Sequence, residues 1–203
     1  MDDRYQTIAK EARSEIKVKG SRFIGESFLV SDTEQALEKL STVRKREHAA
    51  SHHCFAWRVG IAEEMTFKYS DAGEPVGTAG KPIYDVIAGR EITNVLLVVT
   101  RYFGGTKLGT GGLARAYSDA AKAVLEQAGV EENFLTARFK IELDFSLYDR
   151  WQKLISNLEV KTIDSAFTDR VAMILEIRLT RAERLQEAFT ELTGGKGKIE
   201  QVG

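Results

Sequence analysis

Arg101-Tyr102-Phe103-Gly104-Gly105-Thr106-Lys107-Leu108-Gly109-Thr110-Gly111-Gly112-Leu113-Ala114-Arg115-Ala116-Tyr117 is the stretch from which the rest of the chain is read, with five glycines in nine residues. On one side lies an apolar run, Asn94 to Thr100, with the pattern of a buried strand. On the other lies a helical pattern from Gly112 to Gln127, with Leu113, Tyr117, Ala120, Val124 and Ala128 as its packing stripe. Glycine loses more conformational entropy on folding than any other residue. A cluster of glycines therefore marks a loop that needs positive φ or close approach to a partner. Where such a loop feeds a helix N-terminus, free N–H groups and the positive dipole end suit an anion. The candidate anion site uses the backbone of Gly109, Gly111 and Gly112. Arg101, Lys107 and Arg115 supply cations, and Tyr102 and Tyr117 offer rings for stacking.

A second Gly-rich segment, Tyr69 to Pro82, precedes the strand. Asp71 and Glu74 are its candidate chemistry, as an acid/base pair or as oxygen ligands for a divalent cation. Asp-x-Gly and Glu-Pro are also ordinary turn chemistry. Lys81 in the same segment joins the candidate anion-binding set. The two segments are expected to converge on one groove, with carboxylates beside cations. Neither nucleotide motif fits. Gly80-Lys81 is followed by Pro82, and Pro75 stands where a phosphate-binding loop needs its first glycine. Gly109-x-Gly111-x-x-Ala114 has the dinucleotide spacing but starts several residues past the strand, and no strand-end acid follows at the expected distance. His48 and His52 are four residues apart, with His53 and Cys54 adjacent. Without a second Cys or His pair they do not make a zinc set. Cys54 reads as a small buried residue.

Further upstream, Glu15 to Val30 suggests two strands broken near Lys19-Gly20-Ser21. Asp32 or Thr33 caps a helix reaching Arg46. His53 to Trp57 and Met65 to Tyr69 read as strands, and Ile83 to Ala88 as a short helix. Downstream, Gly129 to Asn133 reads as a hinge, dividing the chain into domains 1–132 and 133–203. Phe139, Ile141, Leu143 and Phe145 alternate with charged residues, as in a half-buried strand. Ser146 is an N-cap candidate for Leu147 to Asn157. Val160 to Phe167 and Val171 to Leu179 are strands, Thr180 caps a helix ended by Gly194-Gly195, and Lys198 to Val202 closes as a strand. This β-α-β-β-α-β order is the ferredoxin-like pattern.

Composition excludes little. With 203 residues, 43% hydrophobic and 29% charged, the chain is ordinary for a globular protein. A net charge of −1 gives no global field for nucleic acid, so any such binding is local. One cysteine rules out an internal disulfide framework and fits a reducing compartment. The start, Met1-Asp2-Asp3-Arg4-Tyr5-Gln6, has no signal-peptide apolar core, and no apolar run reaches spanning length. A cytoplasmic location is expected, without membrane contact.

Asp71-x-Gly73-Glu74-Pro75-x-Gly77-Thr78-Ala79-Gly80-Lys81-Pro82 and Arg101 to Tyr117 together resemble the signatures of the IMPACT/YigZ family, in its bacterial two-domain form. With the ferredoxin-like tail, the resemblance covers essentially the whole chain. It implies an α+β fold. The first domain would be of the ribosomal-protein type, a β-α-β arrangement with a left-handed crossover. The second would resemble the fifth domain of elongation factor G. The pair would resemble that factor's fourth and fifth domains, which touch the ribosome. Eukaryotic relatives regulate translation by blocking activation of an initiation-factor kinase through its activator protein. They carry an extra N-terminal interaction domain, expected to be absent here, so that specific partner is not carried over. The family brings no established catalytic residues. The expectation is a non-enzymatic, translation-linked protein that binds RNA, the ribosome or a ribosome-associated protein through the Gly-rich loop. No cofactor, metal or sequence readout of DNA is expected. The competing readings are an enzyme for a small anionic or phosphorylated substrate using Asp71 and Glu74, and a protein–protein module with structural glycines.

Overall fold

Five consecutive apolar residues, Val95 to Val99, are fully buried. Successive side chains of a strand point to opposite faces, so this strand needs cover on both sides. The computed structural model, which describes residues 3–202, supplies that cover. The chain divides into two units, Tyr5–Asn133 and a second made of residues 3–4 with 134–202. The first runs β1 (Arg4–Ile8), β2 (Ala12–Val18), β3 (Ser21–Leu29), α1 (Thr33–Arg46), β4 (His52–Val59), β5 (Thr66–Ser70), α2 (Gly80–Gly89), β6 (Val95–Tyr102), α3 (Gly109–Ala128) and β7 (Val130–Phe134).

Strand order in the five-stranded sheet is β2-β3-β6-β4-β5, every neighbour antiparallel. β3 and β4 both run against β6 between them, so they are parallel to each other and joined by the α1 crossover. Val95, Leu97 and Val99 pack with Phe23, Cys54 and Ala56 beneath α2 and α3. Leu96 and Val98 face the other way, with Phe55 and Trp57, onto Ala36, Leu40 and Val43 of α1. At the β2–β3 turn Lys19 and Gly20 both have positive φ (45° and 82°), as a two-residue type I′ connection requires. Asp32 caps α1, accepting the Gln35 N–H at 2.8 Å.

Three local expectations are corrected. Both helices begin three residues early, α2 at Gly80 and α3 at Gly109, because Pro82 and the glycines fit within first turns, where N–H groups lack intrahelical partners. Gly129 to Asn133, read as a hinge, lies largely in β7, which pairs with β1 in a two-stranded sheet.

The second unit carries β8 (Thr136–Leu143), α4 (Tyr148–Ser156), β9 (Lys161–Phe167), β10 (Val171–Arg178), α5 (Ala182–Thr193) and β11 (Lys198–Gln201). Its sheet order is β11-β8-β10-β9, so the last strand lies beside the first and the third between the first and second. That is the ferredoxin-like arrangement. Alternate residues of β8 and β10 meet Trp151 and Phe189, whose rings are edge-on at 5.2 Å. The fold is thus α+β throughout. Ser146 and Thr180 do not cap helices. Asp144 accepts from the Ser146 N–H and hydroxyl, and a short 3-10 turn then leads into α4.

The Thr180 hydroxyl donates to Asp3 at 2.5 Å, and Arg178 donates to the other carboxylate oxygen at 2.8 Å. Asp3 is 2% exposed. The Arg178 hydrogen bond, then that of Thr180, holds its carboxyl well below the usual carboxylate range. This stabilisation is present above the unfolded pKa of about 3.9 and fades as pH falls through the folded value. Asp3→Ala is expected to lower the melting temperature of the second unit by several degrees at neutral pH. The gap between the variant and the parent protein should narrow in acid; scanning calorimetry across pH checks both.

Candidate functional site

The segment after β5 is shaped by one carboxylate. Asp71 Oδ1 accepts the N–H groups of Ala79 and Gly80 at 2.9 and 2.8 Å, and Oδ2 accepts that of Gly77 at 2.9 Å. Asp71 therefore closes its own loop and caps the start of α2. Ala72, Gly73 and Gly77 take positive φ (46°, 90° and 78°) to let the chain wrap around it. Burial works to raise the Asp71 pKa, but the three backbone donors outweigh it and the net shift is downward. A carboxylate so engaged is a poor general base, which corrects the acid/base reading.

Glu74, in the same loop, reaches inward. Its Oε1 accepts from the Arg101 guanidinium at 2.6 Å and from the Tyr117 hydroxyl at 2.8 Å. The Glu74 and Arg101 side chains are 3% and 6% exposed. Buried charges persist only when paired and hydrogen-bonded, and here the loop, β6 and α3 each supply one member. This changes three sequence expectations. Arg101 is neutralised by Glu74 and is not a free cation. Glu74 is half of a buried ion pair and not a free base. Tyr117 is fully buried, edge-on to Phe23 at 5.2 Å, so its ring has no face for a base.

The neighbouring titratable groups are also engaged. A carbonyl only accepts, so His52 Nδ1–H donates to Ala72 O at 3.0 Å and His53 Nε2–H to Glu47 O at 3.1 Å. His52 Nε2 lies 3.9 Å from Glu74 Oε1. Cys54 donates its thiol hydrogen to Asp71 O at 2.9 Å. Burial pushes that thiol up to about 12, which keeps it protonated and unreactive at neutral pH.

The second Gly-rich segment is anchored at its base and open at its tip. The Gly104 N–H donates to Ser21 Oγ at 3.1 Å and the Phe103 N–H to Ser51 Oγ at 3.2 Å. Gly105 and Gly109 have positive φ (85° and 72°). Among the described residues no side chain caps the start of α3, where Leu108 takes the cap position. Lys107 is exposed, and Phe103 is 51% exposed with the Arg101 guanidinium 5.5 Å from its ring centre.

Both segments line one open cavity of about 360 Å³, formed by Glu74, Pro75, Arg101, Phe103, Lys107, Leu108, Gly109, Thr110 and Leu113. Glu74, Arg101, Lys107 and Gly109 are thus brought together, with Gly111 and Gly112 in the adjoining first turn of α3. Seven residues of the sequence-derived set are not in the lining: Gly111 and Gly112, the buried Tyr117, the loop-closing Asp71, and Lys81, Arg115 and Tyr102. Lys81 pairs with Asp85 at 2.7 Å, and Arg115 stands exposed on α3. Tyr102 donates its hydroxyl to Glu47 at 2.8 Å, and the Arg22 guanidinium lies 5.3 Å from its ring centre. Sequence reasoning did not single out Phe103. Its signal was present all the same: a large aromatic at the head of a glycine cluster has little chain nearby to cover it.

Residues 19–125 match the Impact N-terminal domain, and residues 141–196 match a domain of unknown function (DUF1949). The chain is 32% identical over 197 residues to IMPACT family member YvyE of Bacillus subtilis, covering 97% of this chain and 90% of that protein. It is 30% identical over 168 residues to IMPACT family member YigZ of Escherichia coli, covering 82% and 81%. A crystal structure of a hypothetical protein superposes with a TM-score of 0.71 at 25% identity, over 100% of this chain and 99% of that one. The two signature loops, the two matched domains and the near full-length relatives place the chain in the IMPACT family.

Proposed function

We propose that this protein is a non-enzymatic, translation-linked regulator that binds single-stranded RNA, as exposed on ribosomal particles, at the cavity between its two Gly-rich loops. The observation that carries this reading is the composition of that cavity. An uncapped helix start and Lys107 lie on one side, and the half-exposed ring of Phe103 stands at its rim. Backbone N–H groups and a lysine suit a phosphate, and an exposed ring suits an unstacked base. Family membership supports the link to translation. The engagement of Asp71 and Glu74 in structural hydrogen bonds supports binding over catalysis. Arg115, exposed in the second turn of α3, adds a second cation. The net charge of −1 argues for modest affinity set by this local patch.

The test is fluorescence anisotropy with labelled single-stranded RNA over a salt series. Lys107→Ala combined with Arg115→Ala should weaken binding roughly tenfold at low salt. It should also flatten the dependence of log K on log salt by about 1.4, two phosphate contacts on a single strand. Salt-sensitive binding that survives both substitutions overturns this surface.

A further inference from the structure

The cavity floor carries an asymmetry that phosphate binding does not use. Glu74 Oε1 accepts from both Arg101 and Tyr117. Among the described residues no side chain or backbone group donates to Oε2, although the Glu74 side chain is only 3% exposed. Nor is Oε2 among the fully enclosed polar atoms that lack partners, a group that does include Arg101 Nε. Oε2 therefore keeps some solvent contact, while the Glu74 side chain as a whole is buried and the residue lines the cavity. An ionised carboxylate accepts hydrogen bonds and cannot donate them. A ligand that seats here has to bring an N–H or O–H to that oxygen.

We infer that the cavity selects a nucleotide whose base carries an exocyclic amino group, with Glu74 Oε2 accepting from that group. This rests on the RNA reading above and adds base preference to it. Carboxylates read the cytosine amino group in this way, and adenine offers an equivalent donor. Uracil lacks it. Its N3–H lies between two carbonyl oxygens whose lone pairs would face the carboxylate. The components lie in a workable order: the Phe103 ring at the rim for stacking, Lys107 and the α3 start for the phosphate, and Glu74 at the floor for the base edge. A cavity of about 360 Å³ is in the range of ligand-binding pockets. The Glu74 charge is balanced by Arg101, so the site adds specificity without adding net negative charge.

The experiment compares oligo(A), oligo(C) and oligo(U) of equal length on the unaltered protein. A fourth oligomer replaces adenine with purine, which lacks only the 6-amino group. Oligo(A) and oligo(C) should bind about tenfold more tightly than oligo(U), and the purine oligomer should fall to the oligo(U) level. Equal affinity for all four overturns the amino-group preference and leaves RNA binding standing. No binding by any of them overturns the RNA reading itself. Because ligand atoms are deleted instead of protein atoms, the result does not depend on a variant folding. Phe103→Ala, at an exposed position, serves as a companion. It should weaken all four oligomers by a similar factor and preserve their ranking, and a loss confined to oligo(A) and oligo(C) counts against the assigned roles.

Discussion

Arg101→Met is expected to destabilise the first unit by about 3–5 kcal/mol in urea or thermal unfolding, because it leaves the Glu74 carboxylate buried without its cation. Among the described residues, only the Tyr117 hydroxyl would still donate to it. The effect comes from the stranded partner and not from a large intrinsic strength of the pair. The double variant Arg101→Met with Glu74→Met should therefore recover most of the loss, since no unpaired charge remains. A residual of about 1 kcal/mol is expected from the Tyr117 hydroxyl, which loses its acceptor in a fully buried place. A double variant no more stable than Arg101→Met alone would show that the two side chains are not coupled as described.

Gly104→Ala should be comparably severe for a different reason. A Cβ on Gly104 would lie 1.9 Å from the Gly20 carbonyl carbon and 2.2 Å from the Ser21 nitrogen, all of it backbone. No rotamer change relieves such a contact. The β2–β3 turn must move, taking with it the Ser21 hydroxyl that accepts the Gly104 N–H. A loss of about 3 kcal/mol or more, or failure to accumulate folded protein, is expected. Gly111→Ala is the control. Its Cβ would meet nothing within 4 Å, and its φ is not positive. Within α3 it should be neutral or stabilising by up to about 1 kcal/mol. Equal melting temperatures for the two variants would refute the argument.

These two glycines show how far the sequence could be read. Glycine density marked two segments that line one cavity. It did not separate Gly104, which is glycine for want of space, from Gly111, which is glycine in an open first turn. The ferredoxin-like order was legible because Phe139, Ile141 and Leu143 alternate with charged residues over a single core. β7 was not, since Glu131 and Glu132 are exposed and its partner β1 lies at the far end of the unit. The charges of the site were the hardest to read. Arg101 looked like a free cation because its pairing depends on Glu74, which reaches it only through the folded Asp71 loop. A clue was present: Arg101 continues a strand whose preceding residues, Val95 to Thr100, are all buried. An arginine in that position needs a carboxylate to accompany it.

The Asp3 contacts have a topological consequence. Asp3 accepts from Arg178 across 175 positions of sequence, and its carbonyl accepts the Leu135 N–H at 2.8 Å. The second unit is therefore the host, interrupted between residues 4 and 134, and the first unit is a guest inserted into it. The host's two stretches already meet at that hydrogen bond, so a short turn can stand in for the whole guest without drawing distant ends together. A host cut out at residue 134 alone would leave Arg178 and Thr180 facing the place where a carboxylate belongs.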